Sequence, residues 1–217
     1  MARLVVPGYP HHVTQRGNRR QKTFFTNADY QRYVELLAEA RQGADVSVWA
    51  YCLMPNHVHF VVVPATEDGL ARLFSEAHRR YTRHINCREG WQGHLWQERF
   101  HSFVMDQRHL LAAVRYVELN PVRAGLCDHP QDWPWSSAGA HLSNRDDALV
   151  SVAPMLQRVS NWNSYLEIAD SAASLDTIRQ HSRTGRPVGN AGFIDQLEAL
   201  TGRELQRKKP GPKVIDK

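Results

Sequence analysis

The sequence has few cysteines and no long apolar run. Its three cysteines, Cys52, Cys87 and Cys127, are odd in number and form no C-x-x-C pair, which excludes a disulfide framework and a zinc ribbon. The longest strongly apolar stretch, about residues 60–63, is far shorter than the roughly 20 residues of a membrane-spanning helix. The N-terminal stretch has no signal-peptide core. We therefore expect a cytoplasmic protein with no membrane partner.

Charge is present in excess of one sign and is unevenly distributed. The 217 residues carry a formal net charge of +5, and a content of 42% hydrophobic and 23% charged residues indicates a folded globular protein. Residues 1–126 contain 16 basic and 11 acidic residues, residues 127–178 contain 2 and 7, and residues 179–217 contain 9 and 4. Two basic regions that flank an acidic one predict a polyanionic partner.

The hydrophobic pattern predicts four strands and three helices in the first 120 residues. The predicted strands are 12–16, 46–53, 58–63 and 97–105, and the predicted helices are 27–42, 69–86 and 106–120, with Asp106 as a cap and Pro121 as the stop. This order predicts an α+β fold with a ferredoxin-like β-α-β-β-α-β sheet and an added C-terminal helix. Beyond residue 127 the pattern predicts a mostly helical or irregular extension, with short helices near 154–158, 165–173 and 193–200.

The sharpest local motif is His57-Val58-His59, directly after Pro55-Asn56. On a strand His57 and His59 project from the same face, about 7 Å apart at a rise of roughly 3.3 Å per residue. Two neutral imidazoles at this spacing can bind one cation if a third ligand is supplied. The alternative is a pair of histidines that bond to the backbone beside a turn.

A second polar pattern lies on the third predicted helix. Tyr116 and Asn120 fall on one stripe with His109 and Ala113, apart from the apolar residues of the same helix. The stripe is not needed for the core and could aim a phenol and an amide at the histidines. The alternative is an ordinary half-buried tyrosine and an Asn-Pro helix end.

Together these motifs resemble the single-tyrosine HUH transposases and, among them, the REP-associated tyrosine transposases. The resemblance rests on the His57-Val58-His59 motif, on the run Tyr116–Leu126 and on the opening stretch His11–Asn18. The stretch 185–187 through Arg203 and Lys208-Lys209-Pro210 is similar to the C-terminal extension of that subfamily. The resemblance implies a catalytic domain over 1–126. The charge distribution divides the rest into an acidic connecting extension over 127–178 and a basic C-terminal helix and tail over 179–217.

The resemblance also implies a reaction and its residues. Tyr116 is expected to be the nucleophile that attacks single-stranded DNA, giving a 5′-phosphotyrosine and a free 3′-OH. His57, His59 and Asn120 are expected to be the metal ligands. Mixed imidazole and oxygen ligands with an open position favour Mg²⁺ or Mn²⁺, although imidazoles would also accept Zn²⁺. The sequence offers no obvious general base.

Contacts to DNA are expected from basic residues near both ends of the chain. The predicted DNA-binding residues are Arg16, Asn18, Arg19, Arg20, Arg123, Arg207, Lys208 and Lys209. Four aromatic residues, Trp91, Trp96, Phe100 and Phe103, could stack on bases, but core packing is expected for at least half of them. The resemblance implies hairpin partners such as REP palindromes, association with the nucleoid when DNA is bound, and a monomer or homodimer.

Three functions remain open at this point. The first is a metal-dependent endonuclease and strand transferase for single-stranded DNA, and the second is a hairpin-binding regulator of the same fold that makes no cut. The third is a metal-dependent hydrolase of small phosphoesters. In a further hypothesis, Asp146 and Asp147 of the acidic segment hold the basic tail against the body when DNA is absent.

Overall fold

The computed structural model describes residues 3–206. The strands are β1 (His11–Arg16), β2 (Val46–Met54), β3 (His57–Pro64) and β4 (His101–Val104). The helices up to residue 142 are α1 (Asn27–Ala44), α2 (Gly69–Glu89), α3 (Gln107–Glu118), α4 (Asn120–Arg123) and α5 (Ala138–Leu142). They are followed by α6 (Ala153–Leu156), α7 (Trp162–Glu167), α8 (Ala172–Thr184) and α9 (Ala191–Thr201), and short 3₁₀ turns cover Asn18–Arg20 and Pro130–Asp132.

The sheet has the strand order β2-β3-β1-β4, and its neighbours are antiparallel. β2 and β3 form the expected hairpin. The α1 crossover links β1 to β2 past β3, and the α2 crossover links β3 to β4 past β1. This is the arrangement that a β-α-β-β-α-β chain adopts when each crossover skips one strand, so the α+β prediction is confirmed.

One face of the sheet is apolar and lies under α1 and α2. Val13, Phe60 and Val62 are at most 1% exposed and pack against large residues from both helices, including Tyr33 and Phe74. The burial follows from the two-residue period of the strands, which sends the branched and aromatic residues to one side. This first face therefore supplies the largest core.

The second face of the sheet is covered by α3 and by the extension. Ala50, Cys52 and Val61 of the sheet share a cluster with Leu110 of α3 and with Ile178 of α8. An irregular register between Val48 and Ala50 changes the side to which alternate β2 residues point. Residues of the acidic segment thus pack on the sheet and on α3.

A buried carboxylate fastens the extension to α3. Glu118 is fully buried and accepts hydrogen bonds from Ser137 Oγ at 2.6 Å, His141 Nδ1 at 2.6 Å and Trp162 Nε1 at 2.9 Å. Three donors compensate the lost hydration of the carboxylate, which would be unfavourable without partners. The last residue of α3 is therefore held by two separate stretches of the extension.

β4 and α3 are among the elements whose boundaries differ from the sequence prediction. β4 covers only His101–Val104 instead of 97–105, because Glu98 adopts a left-handed φ of 57° that interrupts the strand. α3 begins after the predicted Asp106 cap, whose carboxylate accepts from the His109 N–H at 2.9 Å. It ends at Glu118 instead of Asn120, because Pro121 has no N–H to continue the helical ladder.

The C-terminal elements were only partly predicted. α9 matches the short helix expected near residues 193–200, whereas α8 was not predicted as a helix. The boundary drawn at 178/179 from charge falls inside α8. Asp146 and Asp147 cap local backbone N–H groups, and Asp147 also accepts from the Tyr51 hydroxyl at 2.6 Å. Among residues 3–206 no helix combines the length and the apolar character needed to cross a bilayer.

Candidate active site

Alternate residues of neighbouring strands place histidines on the second face of the sheet. β1 pairs with β3 so that Thr14 lies opposite His59, and it pairs with β4 so that His12 lies opposite Phe103. Directly paired residues point to the same side. His57 and His59 therefore share a face, as their spacing predicted, and His12 joins them there.

His57 is held by its neighbour in the turn. Its Nδ1 lies 2.6 Å from Asn56 Oδ1, and because that oxygen only accepts, Nδ1–H donates and Nε2 carries the lone pair. Burial, and secondarily the charge of Arg16, lowers the pKa of His57 to about 4. The ring is therefore neutral near pH 7, the state in which an imidazole can bind a metal.

His59 lies deeper and contacts a third histidine. Its Nδ1 is 3.1 Å from Nε2 of His12, whose Nδ1 lies 3.3 Å from Ser182 Oγ. Burial lowers the pKa of His12 to about 3 and, together with the nearby His57, holds the pKa of His59 well below its usual range. All three rings are therefore neutral at physiological pH.

Tyr116 reaches the same face from α3. Its ring centroid is 5.6 Å from that of His59 and 6.3 Å from that of His12. The guanidinium carbon of Arg123 lies 4.6 Å from the Tyr116 ring centroid, and Arg123 also donates to the Tyr116 carbonyl. Asp170 accepts from Arg123 at 3.2 Å and therefore holds the cation over the phenol.

Asn120 lies beyond the break that ends α3. Leu119 separates it from the helix that carries Tyr116, and Asn120 opens the separate turn α4. Within residues 3–206 its Nδ2 atom is buried without a hydrogen-bond partner. Because amide nitrogen and oxygen are assigned from their partners, this side chain has an unmet polar atom that could take a ligand.

The histidines and the tyrosine open into a cleft of about 840 Å³. Its lining includes His57, His59 and Tyr116. The charged side chains around it are Arg16, Arg20, Glu98, Asp176, Arg179 and Arg183, of which the last three belong to α8. Four arginines against two carboxylates make the cleft a site for an anionic ligand.

The other predicted DNA-binding residues lie in several places. Asn18 lines a neighbouring groove of about 850 Å³, which shares Arg183 with the cleft. Arg19 is exposed in the turn after β1. Arg123 is engaged with Tyr116 and Asp170. Residues 207–209 lie outside the described residues.

The four aromatic residues predicted near the DNA divide as expected. Trp96, Phe100 and Phe103 are buried in the two cores, at 6%, 5% and 1% exposure. Trp91 is 43% exposed and makes an edge-to-face contact with Phe25, whose centroid is 5.6 Å away. Core packing therefore accounts for three of them.

A comparison with known protein families identifies the chain. The family described as "Transposase IS200 like" matches residues 6–120, more than half of the sequence. The chain belongs to this transposase family. The matched region includes β1, both histidines of the His57-Val58-His59 motif, and Tyr116.

Two curated relatives support the resemblance predicted from the sequence. A REP-associated tyrosine transposase of Escherichia coli K12 is 24% identical over 121 residues, which are 55% of this chain and 70% of that protein. A protein of Haemophilus influenzae with a similar description is 28% identical over 99 residues, which are 41% of this chain and 56% of that protein. The predicted resemblance to REP-associated tyrosine transposases is confirmed.

The fold comparison agrees. The solved structure of a REP-associated tyrosine transposase bound to a REP hairpin superposes with a TM-score of 0.58 at 20% sequence identity, covering 70% of this chain and 90% of that one. At this identity the likeness establishes the fold.

Sequence reasoning missed the residues that α8 brings to the cleft, and it missed His12. A signal for His12 existed, because it alternates with Thr14 and Arg16 on a strand with a polar face. Ser182 and Arg183 gave no comparable signal, since they lie in a weakly patterned segment beyond the family match at 6–120. Their place depends on long-range packing that local periodicity does not encode.

Proposed function

We propose that this protein cuts and rejoins single-stranded DNA through a covalent bond to Tyr116. The observation that carries the proposal is the position of the Tyr116 ring, 5.6 Å from the ring of His59 in a cleft lined by arginines. A phenol beside neutral imidazoles in an anion-binding cleft is suited to attack on a phosphodiester.

The proposed step conserves the phosphodiester bond energy. Tyr116 Oη attacks the phosphorus, the P–O3′ bond breaks, and the products are a 5′-phosphotyrosine and a 3′-OH. Solvent takes up the phenol proton as the new P–O bond forms, and the leaving O3′ takes one proton from solvent to become the 3′-OH. A 3′-OH from another strand can attack the same phosphorus and release Tyr116 as the phenol, which completes the transfer.

The residues of the cleft fit a divalent cation. His57 and His59 are neutral, and the side-chain oxygen of Asn56 fixes the His57 ring so that Nε2 is available. No set of three or more His, Cys, Asp or Glu side chains within residues 3–206 could hold a metal. Oxygen ligands from the DNA phosphate and water would complete a shell suited to Mg²⁺ or Mn²⁺. Asn120, which is not among the residues that line the cleft, is the proposed third protein ligand. When bound, the cation would neutralise charge on the scissile phosphate.

The arginines of the cleft account for the choice of substrate. Arg16 and Arg20 approach from β1 and the turn after it, and Arg179 and Arg183 approach from α8. Phosphate contacts from two sides would position a strand across the Tyr116 hydroxyl. The solved relative is described as bound to a REP hairpin, which supports a hairpin of this type as the partner of this chain.

The test is an adduct assay with a REP-like hairpin oligonucleotide that carries single-stranded flanks. With Mn²⁺ or Mg²⁺ the wild-type protein should form a denaturation-resistant adduct, and Tyr116→Phe should form none. EDTA should abolish the adduct. An adduct with Tyr116→Phe would refute the nucleophile, and tight binding without any adduct would favour the non-cleaving regulator.

Tyr165→Phe is a matched control. Tyr165 Oη donates to the Leu111 carbonyl and accepts from the Arg115 N–H at 3.1 Å, so its hydroxyl serves the packing of α7 on α3. This variant should retain the adduct, which would show that the assay reports the position of the phenol and not merely the loss of one.

A further inference from the structure

We propose that His12 and Ser182 are positioning residues that hold His59 in the tautomer whose Nε2 lone pair is available to a divalent cation. The inference rests on the proposed function, because it takes His59 as a ligand. It also assigns a site role to α8, which lies beyond the part of the chain matched by the family.

The two histidines are joined by one hydrogen bond, in which one ring nitrogen carries the proton and the other accepts it. Nε2 of His12 and Nδ1 of His59 are 3.1 Å apart, and the ring planes differ by only 12°. His12 is fully buried and His59 is 6% exposed, so water does not readily replace either partner. One nitrogen donates and the other accepts, and the direction of this bond decides which nitrogen of His59 keeps a lone pair.

Ser182 decides that direction. Its Oγ lies 2.8 Å from the Ile178 carbonyl, which only accepts, and 3.3 Å from Nδ1 of His12. The hydroxyl proton is therefore used on Ile178, and Ser182 Oγ accepts from His12 Nδ1–H. His12 is then unprotonated at Nε2 and accepts from His59 Nδ1–H, which leaves the lone pair of His59 on Nε2.

If the hydrogen bond between the two histidines ran in the opposite direction, fewer of the neighbouring hydrogen bonds could form. If His12 Nε2 carried the proton, its Nδ1 would need a donor, and Ser182 would have to abandon the shorter bond to Ile178. His59 would then carry its proton on Nε2, where a cation would have to displace it. Burial lowers the pKa of both rings, so a doubly protonated ring does not compete with the neutral arrangement.

Packing keeps His12 in place for this role. The Phe103 ring meets the His12 ring edge-on, with centroids 5.1 Å apart and planes at 68°. The hydrogen bonds thus run from the Ile178 carbonyl through Ser182 and His12 to His59, the proposed metal ligand. The first two of these residues belong to α8 of the C-terminal extension. Outer partners of this kind fix the tautomer and the orientation of a ligating histidine.

The first test needs no metal. ¹⁵N-labelled wild-type protein without metal should show both His12 and His59 protonated at Nδ1 in long-range ¹H–¹⁵N spectra, with the signals assigned from His12→Gln and His59→Gln variants. Protonation of His59 at Nε2 would overturn the proposal. This readout does not depend on DNA cleavage.

The second test measures Mn²⁺ affinity. His12→Phe keeps a ring against Phe103 but removes the acceptor, and we expect its Kd to rise by about 10–100-fold. His12→Gln offers a carbonyl acceptor near the position of Nε2 and should recover most of that loss. Ser182→Ala should give a smaller increase, below about 10-fold, because Ser182 acts on His59 only through His12. Ser182→Thr keeps the hydroxyl and should have wild-type affinity.

The outcomes separate this inference from the proposed function. Wild-type affinity in a folded His12→Phe protein would overturn the positioning role, and thermal unfolding verifies the fold. A wild-type protein that binds no Mn²⁺ would overturn the inference together with the metal role. An adduct with Tyr116→Phe would overturn the nucleophile alone, with the tautomer and the Mn²⁺ affinities still as expected.

Discussion

The two faces of the sheet are both buried, but they bury different chemistry. The first face presents Val13, Val58 and Phe60 to α1 and α2 and is mostly apolar, although β1 also places the buried His11 and Gln15 on this side. The second face presents His12 and His59, which are nearly as inaccessible. On the first face burial supplies stability, whereas on the second it keeps imidazoles neutral and orders their hydrogen bonds. The same strands therefore carry the larger apolar core on one side, and a smaller core together with the candidate site on the other.

The extension holds α3 against the second face of the sheet. Glu118 ties it to α3 through Ser137, His141 and Trp162, and Asp170 pairs with Arg115 at 2.8 Å. The negative charge of residues 127–178 is thus partly used to hold α3 and its tyrosine. Asp146 and Asp147 serve local backbone caps, so their neutralisation is expected to loosen this segment.

The largest expected effect separates the faces directly. His57→Ala should reduce DNA cleavage by at least about 1,000-fold, since a bound cation supplies several kcal/mol of charge stabilisation, with little change in stability. Phe60→Ala should instead lower the free energy of unfolding by about 3–5 kcal/mol. Under conditions in which this variant is folded, it should cleave DNA like the wild type. Denaturant unfolding measures the stability of both variants, and single-turnover assays measure their cleavage rates. Equal losses of cleavage in the two variants would contradict the different roles of the two faces.

The next effect concerns the attachment of the extension. Glu118→Ala leaves the buried N–H groups of His141 and Trp162 without an acceptor, whereas Ser137 Oγ can still donate to the Tyr51 carbonyl at 3.3 Å. It should lower the free energy of unfolding by roughly 3–5 kcal/mol. Glu167→Ala is the control, because its bond to Asn163 is exposed, and its effect should stay within about 0.5 kcal/mol. Chemical denaturation measures both. Similar small effects would show that the carboxylate does not anchor this segment.

The pH dependence of stability is a smaller effect when it is counted for one histidine and one pH unit. Burial lowers the pKa of His11 to about 4 and that of His12 to about 3. Below pH 6.5 the unfolded chain binds protons that the folded chain does not, so the free energy of unfolding should fall by about 1.4 kcal/mol per pH unit for each such histidine as the pH drops from 6.5 towards 4. Above pH 6.5 this stability is fully present.

His11→Gln isolates one histidine of this set. His11 accepts from the Val6 N–H at 3.1 Å and donates to the Tyr9 carbonyl at 2.8 Å. These two hydrogen bonds require the neutral form of the ring, so the folded state favours it. Unfolding curves at pH 7, 6 and 5 should have a shallower pH slope in His11→Gln than in wild type. An identical slope would mean that the buried ring takes up its proton without cost.

The smallest expected effect lies in the tail. Arg203 donates to the Arg3 carbonyl at 3.2 Å and Leu205 is buried, so the informative truncation removes only residues 207–217. It should weaken DNA binding and flatten the salt dependence by up to about 0.7–0.9 slope units for each lost phosphate contact. A full-length chain with its tail lysines changed to glutamine is the control for length. An unchanged slope would remove the tail from the DNA contacts.

The sequence predicted what depends on local periodicity. The shared face of His57 and His59 follows from the two-residue period of a strand, and the strand and helix order follows from the apolar pattern. The shortened β4 was not foreseen, because one left-handed residue, Glu98, interrupts an otherwise alternating stretch. The contact between Ser182 and His12 joins residues 170 positions apart, and no local pattern encodes it. Asn120 was predicted on the helix of Tyr116, yet it lies beyond the break at Leu119.

One measurement tests the central claim most directly. Trypsin cleavage after Arg115 and Arg123 releases the peptide Tyr116–Arg123, in which Tyr116 is the single hydroxyl-bearing side chain. After reaction with a hairpin oligonucleotide and nuclease trimming, mass spectrometry should find a nucleotide phosphate on this peptide, at the tyrosine. A nucleotide on any other peptide, or none anywhere under conditions in which the oligonucleotide is cut, would contradict the account.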